Sequence, residues 1–298
     1  MASYYNSNTI VFADGQLKKA SEVLLSAYSQ TLHYGYGVFE GIRSYKDEEG
    51  NAAIFKAEAH YERLLASAEA LRIPLGYSVN ELIEATYAVL HANQMKDAYI
   101  RPLVYLPDNM SFNPNSHSHI WIAAWEMEPF LGENLLRLFT STIQRPNPKA
   151  FNMRAKACGH YVNSIMASYE AKANGFDEAL LCDAAGNAAE GPGANLFIEK
   201  DGVLFTPPPG NILPGITRQT VLELCDELGI PYAESHFTPQ EMKQADSAFY
   251  CGTAAEIVGI ASLDNCSYAM PWQQTQGARL QKAYHSLVRK PASMIAET

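Results

Sequence analysis

The sequence predicts two domains of mixed α+β and α/β character, and three observations carry that prediction. Residues 1–126 set short apolar runs around two amphipathic helical patterns. Residues 126–134 contain proline and glycine and lose all periodicity, so 127–136 reads as a connection between domains. Residues 137–298 then restart with strand and helix patterns in turn. At 298 residues the chain is long enough for two ordinary domains, and 47% apolar residues support full cores.

The elements follow in order. Residues 8–12 read as a short strand and 13–16 as its turn. The stretch 33–43 holds glycines at 35, 37 and 41, which let the backbone pass close to another surface. Within it 38–45 looks like a strand, with 47–51 a polar hairpin loop and 52–55 the returning strand. A helix over 57–72 puts Leu64, Leu65, Ala68 and Leu71 on one side and stops before Pro74. A second, over 80–95, does the same with Leu82, Ile83, Val89 and Leu90. Residues 99–105 and 119–125 are strands flanking the polar loop 107–118. Beyond the connection, 135–142 is a strand, 163–174 a helix ended by Gly175, and 178–182 a strand. Residues 195–205 form a hairpin around Lys200-Asp201-Gly202. Pro214-Gly215-Ile216-Thr217 leads into a helix over 218–228, closed by Gly229. Thr238-Pro239-Gln240-Glu241 is a capping box with proline at the first helical position. Strands at 248–251 and 257–263 and a helix over 271–289 complete the chain.

A net charge of −10 disfavours nucleic acid and anionic membranes as partners, and leaves any phosphate-bearing ligand to a few local positive groups. Cysteines 158, 182, 225, 251 and 266 form no C-x-x-C pair, which suggests neither a zinc site nor a disulfide framework and fits a reducing cytoplasm. No signal peptide and no membrane span is expected, since no basic segment precedes an apolar run and no run approaches the length of a span.

The chemistry centres on Arg154-Ala155-Lys156-Ala157-Cys158-Gly159-His160-Tyr161. Small neighbours leave room around the Lys156 amine, and a low-polarity setting makes an amine lose its proton and act as a nucleophile. That is the chemistry of a Schiff base with an aldehyde cofactor. Taken alone, a lysine such as Lys156 is more often a solvated surface residue than a catalytic one. Glu190 precedes the glycine-rich bend 191–194 and a strand, and is either a site carboxylate or a turn residue in solvent. The N–H groups at 215–217 and the Thr217 hydroxyl form a phosphate seat or an ordinary cap. The small-residue turn 251–256 can present further backbone donors, and Arg63 in His60-x-x-Arg63 is a helical arginine. His117 and His119 lack a third ligand at metal spacing and read as loop histidines, so no metal is expected. Cys158 and Cys251 read as small residues that fit.

As a set, VFEGIR (38–43), YIRPL (99–103), EGPGANLF (190–197), LPGITR (213–218), GTAAE (252–256) and the lysine segment strongly resemble the branched-chain amino acid aminotransferases. These are class IV, or fold type IV, pyridoxal-phosphate enzymes, and the resemblance runs from Asn8 to Arg289. It implies two domains enclosing pyridoxal 5′-phosphate at their interface, with the larger domain, 137–298, carrying the lysine. It implies ping-pong transfer of an amino group between a branched-chain L-amino acid and 2-oxoglutarate. It also implies a homodimer as the minimal active unit, with higher oligomers left open.

The resemblance also assigns roles. Lys156 would link covalently to the cofactor and later move a proton at the substrate Cα. Glu190 would pair with the protonated pyridine nitrogen, and Tyr161 would bond the phenolic oxygen. Arg63, the backbone of Ile216 and Thr217, and Thr217 and Thr253 would hold the phosphate. Tyr99 and the amides of Thr253 and Ala254 would receive the α-carboxylate. Arg101, with Tyr34 of the partner subunit, would receive the distal carboxylate of glutamate, and Phe39, Tyr161 and Phe130 would line the aliphatic wall. The sequence departs from the usual bacterial pattern at Phe130, where tyrosine is common, at Met127, where tryptophan is common, and at Phe112 and Tyr36, which are bulkier than usual. These departures leave the donor range open to aromatic or unusual aliphatic side chains. A D-amino acid transaminase or an aminodeoxychorismate lyase would keep the lysine, the glutamate and the phosphate seat, but usually lacks the VFEGIR and YIRPL pair. A catalytically dead scaffold would be expected to have lost Lys156 or Glu190.

Overall fold

The computed structural model describes residues 4–127, 131–132 and 134–290. The chain divides into two units, one of Met1–Glu128, Ala155–Gly159 and Val288–Thr298, the other of Pro129–Arg154 and His160–Leu287. This corrects one expectation: the lysine segment, expected in the domain 137–298, groups with the N-terminal unit. Backbone pairing is the reason. Phe39 N–H donates to the Lys156 carbonyl at 3.1 Å, Cys158 N–H to Gly37 at 2.9 Å and Gly159 N–H to Gly35 at 2.9 Å. Val38 and Ala157 form an antiparallel bridge beside them. Gly35 is needed there, because a Cβ on it would stand 2.8 Å from the Gly159 Cα, and its φ is +63°.

The first unit is built on a seven-stranded sheet in the order Gln16–Lys19, Ile10–Ala13, His119–Trp125, Ala98–Tyr105, Ile42–Lys46, Ala52–Ile54, with Val38–Phe39 also paired to Ala98–Tyr105. Helices Ala57–Ala70 and Val79–Ala92 bury Leu64, Leu82 and Val89 with Ile42, Ile100 and Ile122 in one cluster. The second helix starts where Ser78 accepts from Glu81 N–H and Glu81 reaches back to Ser78 N–H, a reciprocal cap. The strand expected over 38–45 is broken at Glu40 and Gly41. A Cβ on Gly41 would lie 2.1 Å from the Tyr99 hydroxyl, and Glu40 turns fully into the interior.

The second unit carries a nine-stranded sheet in the order Ala188–Glu190, Glu178–Cys182, Leu136–Thr140, Glu256–Leu263, Ser247–Gly252, Asn195–Lys200, Val203–Thr206, Tyr232–Glu234, with Cys266–Ser267 paired to Glu256–Leu263. Glu190 also pairs with Asn195, so the first six strands close into a ring. Leu136–Thr140 is parallel to both of its neighbours. Helices Tyr161–Ala173, Ile216–Leu228 and Gln276–Leu287 accompany this sheet. The last begins later than its sequence pattern, after a 3-10 turn over Trp272–Gln274, with the Thr275 hydroxyl accepting from Ala278 N–H. Sequence periodicity passed over Gln16–Lys19, Gln30–Tyr34, Ala188–Glu190 and Tyr232–Glu234, all of them five residues or fewer and too short to show a period.

Candidate active site

The first unit gathers Lys156, Phe39, Tyr99 and Arg101. Alternation along Ala98–Tyr105 puts Tyr99 and Arg101 on one face. The register brings Phe39 opposite Leu103 on one side and Trp125 opposite Tyr99 on the other. The Arg101 guanidinium lies 4.7 Å from the Phe39 ring centre, 5.3 Å from Tyr99 and 5.9 Å from Trp125, and donates to the Tyr99 hydroxyl at 3.0 Å. The Lys156 amine stands 5.1 Å from the centre of the same Phe39 ring. Its backbone N–H is tied to Ser67 Oγ at 3.1 Å.

The same unit holds a cluster in which Arg63 meets Glu40 and His60, two residues to which sequence reasoning gave no role. Glu40 is wholly buried and takes the Arg63 fork, Nε to Oε1 at 2.7 Å and Nη2 to Oε2 at 2.9 Å, while His60 Nδ1 meets Oε2 at 2.8 Å. Burial by itself would raise the Glu40 pKa, but the Arg63 charge and the His60 bond outweigh it and hold the carboxyl far below its ordinary range. Burial pushes His60 the other way, below its usual value, against the pull of Glu40, so His60 stays neutral. A planar fork held at both ends is a well-aimed cation. Chain position alone gave no signal for Glu40, because the break at Gly41 is what turns it inward.

The second unit carries Glu190, Thr217, Tyr161 and the turn bearing Thr253 and Ala254. Glu190, Asn195 and Cys251 are neighbours across three strands. Glu190 Oε1 meets Arg145 Nη2 at 2.9 Å, Asn195 Nδ2 donates to Oε2 at 3.1 Å, and Leu213 N–H reaches both oxygens at 3.3 Å. Arg145, also missed from sequence, is buried and donates through Nη1 to Asn163 at 3.2 Å and Ser164 at 3.4 Å. It thereby couples Glu190 to the helix that begins at Tyr161. Ile216 and the buried Thr217 open the helix Ile216–Leu228, where the first N–H groups lack helical acceptors. Gly215 precedes them, and a Cβ there would stand 1.9 Å from Asn195 Oδ1. Gly215→Ala is therefore expected to push the Asn195 amide off Glu190. It should cost about 1–3 kcal/mol of stability and lower kcat, measured by thermal melting and steady-state kinetics on the same preparation.

A family model described as amino-transferase class IV matches residues 37–263. The chain belongs to that family. Among the relatives of this class IV aminotransferase, the branched-chain-amino-acid aminotransferase of Pseudomonas aeruginosa is 39% identical over 294 residues, covering 97% of this chain and 95% of its own. The branched-chain aminotransferase of Thermoproteus uzoniensis, solved with norvaline, superposes with a TM-score of 0.90 at 38% identity over 94% of each chain. The branched-chain amino acid aminotransferase of Thermobaculum terrenum, solved in its PLP form, gives 0.88 at 32% identity over 95% of each chain. The expected fold type IV architecture is borne out by these superpositions.

The cofactor of the family is pyridoxal 5′-phosphate, and the donor set of this aminotransferase fits it. The first unit by itself offers a lysine amine, the donor type an aldehyde takes; the second by itself offers a buried carboxylate paired to an arginine, which suits a ring nitrogen, and a helix start with a buried threonine, which suits a phosphate. Tyr34 is 44% exposed, donates to the Met110 carbonyl at 3.2 Å and packs its ring 5.3 Å from that of Phe112. Phe130 lies outside the described residues. Of the departures, Tyr36 turns its hydroxyl to the Leu71 carbonyl, and the Met127 carbonyl accepts from Arg43. Burial raises the Cys158 thiol to about 11 despite the Arg101 charge, and raises Cys251 further, so neither is a thiolate near neutral pH. Among the described residues no cluster of three or more His, Cys, Asp or Glu could hold a metal ion. His119 is engaged by Asp14 at 2.6 Å.

Proposed function

We propose that this class IV enzyme is a branched-chain-amino-acid transaminase, exchanging an amino group between leucine, isoleucine or valine and 2-oxoglutarate by a ping-pong mechanism. The observation that carries it is the Phe39 ring, shared by the Lys156 amine and the Arg101 guanidinium. A reacting amine and a carboxylate receptor on one apolar wall suit both an aliphatic and an acidic side chain. The relatives bear the branched-chain name, which disfavours the D-amino acid transaminase and aminodeoxychorismate lyase alternatives.

In this reading pyridoxal 5′-phosphate would be held by Lys156, Arg63, Tyr161, Glu190, Ile216, Thr217 and Thr253. The bound cofactor supplies an aldehyde that exchanges amines and a ring that takes up the electrons released at Cα. Lys156 takes the Cα proton and returns it. Arg145 pairs with Glu190, and Glu190 would supply the carboxylate for the pyridine nitrogen of the bound cofactor. Thr217 and the helix N–H groups would bind the phosphate, aided by the charge of Arg63, whose Nε and Nη2 are held by Glu40. Tyr99 with the amides of Thr253 and Ala254 receives the α-carboxylate. Arg101, with Tyr34 of the partner subunit, would receive the distal carboxylate, and Phe39 and Tyr161 would supply apolar surface. Arg101 Nε is buried with no hydrogen-bond partner among the described residues, an unmet donor that an anion nearby stabilises.

We further infer a homodimer. Val162, Ile165, Met166 and Tyr169 are 61%, 50%, 52% and 69% exposed and fall at helical spacing on one face of Tyr161–Ala173. A second copy covering that face explains it, and sedimentation reads the stoichiometry. Five free cysteines suit a reducing cytoplasm. Among the described residues no helix is long and apolar enough to cross a membrane.

The test is an absorbance spectrum of the purified protein with L-leucine, then 2-oxoglutarate, and separately with D-alanine. The visible band is expected to shift with L-leucine and recover with 2-oxoglutarate. A shift with D-alanine alone, or no band after adding pyridoxal phosphate, would overturn the reading. A donor panel extends it. Aromatic donors are expected to turn over alongside leucine, and a strict leucine, isoleucine and valine profile would remove any role for the pocket departures. Glu190→Gln should lower kcat by about 10²-fold or more, the scale of losing a charge aimed at the reacting centre.

A further inference from the structure

The turn 253–255 joins strands Ser247–Gly252 and Glu256–Leu263, with Gly252 and Glu256 facing each other across its base. Glu256 has a φ of +55°, the left-handed region that glycine ordinarily occupies when a hairpin loop of this length closes. A residue with a side chain persists there when its surroundings hold it. Here they do. Glu256 is buried, and its Oε2 lies 3.1 Å from His285 Nε2. His285 sits on the helix Gln276–Leu287, one turn beyond Gln281, whose amide donates to the Ile257 carbonyl at 2.7 Å. Two residues on one helical face therefore grip two consecutive residues at the downstream shoulder of the turn. The upstream shoulder is closely set as well. A Cβ on Gly252 would stand 3.1 Å from the Gly193 carbonyl, and Cys251 pairs with Asn195, the residue that donates to Glu190.

We propose that Glu256 and His285 are positioning residues for the turn 253–255, and that they set how tightly Thr253 and Ala254 hold the anionic groups presented to them. The inference rests on the functional reading above, in which those groups are the cofactor phosphate and the substrate α-carboxylate. Glycine at 256 would adopt the same backbone without strain, so what glutamate adds is the tether to the helix. The strands pair through their backbones with or without it. The tether thus acts on the aim of the loop rather than on the existence of the sheet.

Glu256→Gly separates the two roles, because it keeps the left-handed backbone and removes the tether. Apoprotein titrated with pyridoxal phosphate and followed by absorbance is expected to bind about tenfold more weakly in this variant, a loss of about 1.4 kcal/mol. KM for the amino donor should rise with it, while the melting temperature holds. Glu256→Gln keeps an acceptor for the imidazole N–H and should stay within about threefold of the unaltered protein. His285→Phe should match Glu256→Gly, and the double variant should lose no more than either alone, as expected of two residues acting through one contact. Unchanged cofactor affinity and KM in Glu256→Gly would overturn the proposal. So would losses that track a falling melting temperature, which a purely structural role predicts. An unaltered protein that binds no pyridoxal phosphate would overturn the functional reading itself, which the variants alone cannot do.

Discussion

Lys156→Ala is expected to leave a folded protein whose turnover falls by about 10³- to 10⁴-fold, the contribution of a well-placed acid–base group. The fold should survive because the segment is held by its backbone. Phe39 donates to the Lys156 carbonyl, the Lys156 N–H bonds Ser67, and Ala155 and Ala157 supply the buried side chains. Alanine keeps all of these contacts and removes the amine that faces Phe39. Steady-state kinetics with L-leucine, an absorbance spectrum and a melting curve on one preparation test it. A variant within about tenfold of the unaltered protein would remove Lys156 from the proton transfer. Nearby Lys149 serves as the control. It is exposed on a separate loop, and its alanine variant should behave as the parent.

Glu40→Gln carries the second large effect, on stability. Glu40 and Arg63 form a buried two-point pair with His60 on the same carboxylate. Removing one charge takes from the Arg63 guanidinium the carboxylate that holds it at two points in a largely buried site, a change that costs about 3–5 kcal/mol. Chemical denaturation should show it as a lower midpoint with an unchanged slope. The pH dependence has a defined sign. Glu40 is held below its ordinary value of 4.5, so its contribution is complete above that value and is lost as the pH falls toward the folded-state pKa. His60 is likewise held below 6.5, but as a base it is kept neutral in the folded state and protonates on unfolding. Its effect also erodes stability on acidification, beginning below 6.5. The parent should therefore lose stability in two stages as the pH is lowered, and Glu40→Gln should lack most of the lower one. Parallel acid profiles in the two proteins would show that the carboxylate is not what the Arg63 fork depends on.

The residues legible from sequence share a property: their chemistry is written in contiguous segments. Lys156 among small residues, Glu190 before its glycine bend, and Ile216 and Thr217 at a helix start each carry a local signal. Glu40 and His60 stand inside such segments and Arg145 outside them, but none was given a role, because their roles come from partners that the chain brings in from afar. Arg145 meets Glu190 through a loop that follows a strand, and Glu40 meets Arg63 because Gly41 yields to Tyr99 and breaks a strand that periodicity had made continuous. Glu256 lay inside a motif read for its small residues, and its left-handed backbone and its partner on the last helix appear only in the fold.

By itself, the sequence determined the mixed α and β composition and the class IV resemblance, and it named candidates for the amine, the carboxylate and the phosphate seat. Side-chain periodicity, capping and motif chemistry are short-range properties, and short stretches express them fully. Tertiary structure decided which unit owns the lysine, which cation holds which anion, and which glycine must lack a side chain. Those outcomes depend on burial and on hydrogen bonds between residues far apart in the chain. Only a closed backbone, with every buried charge obliged to find a partner, selects among the pairings the sequence allows.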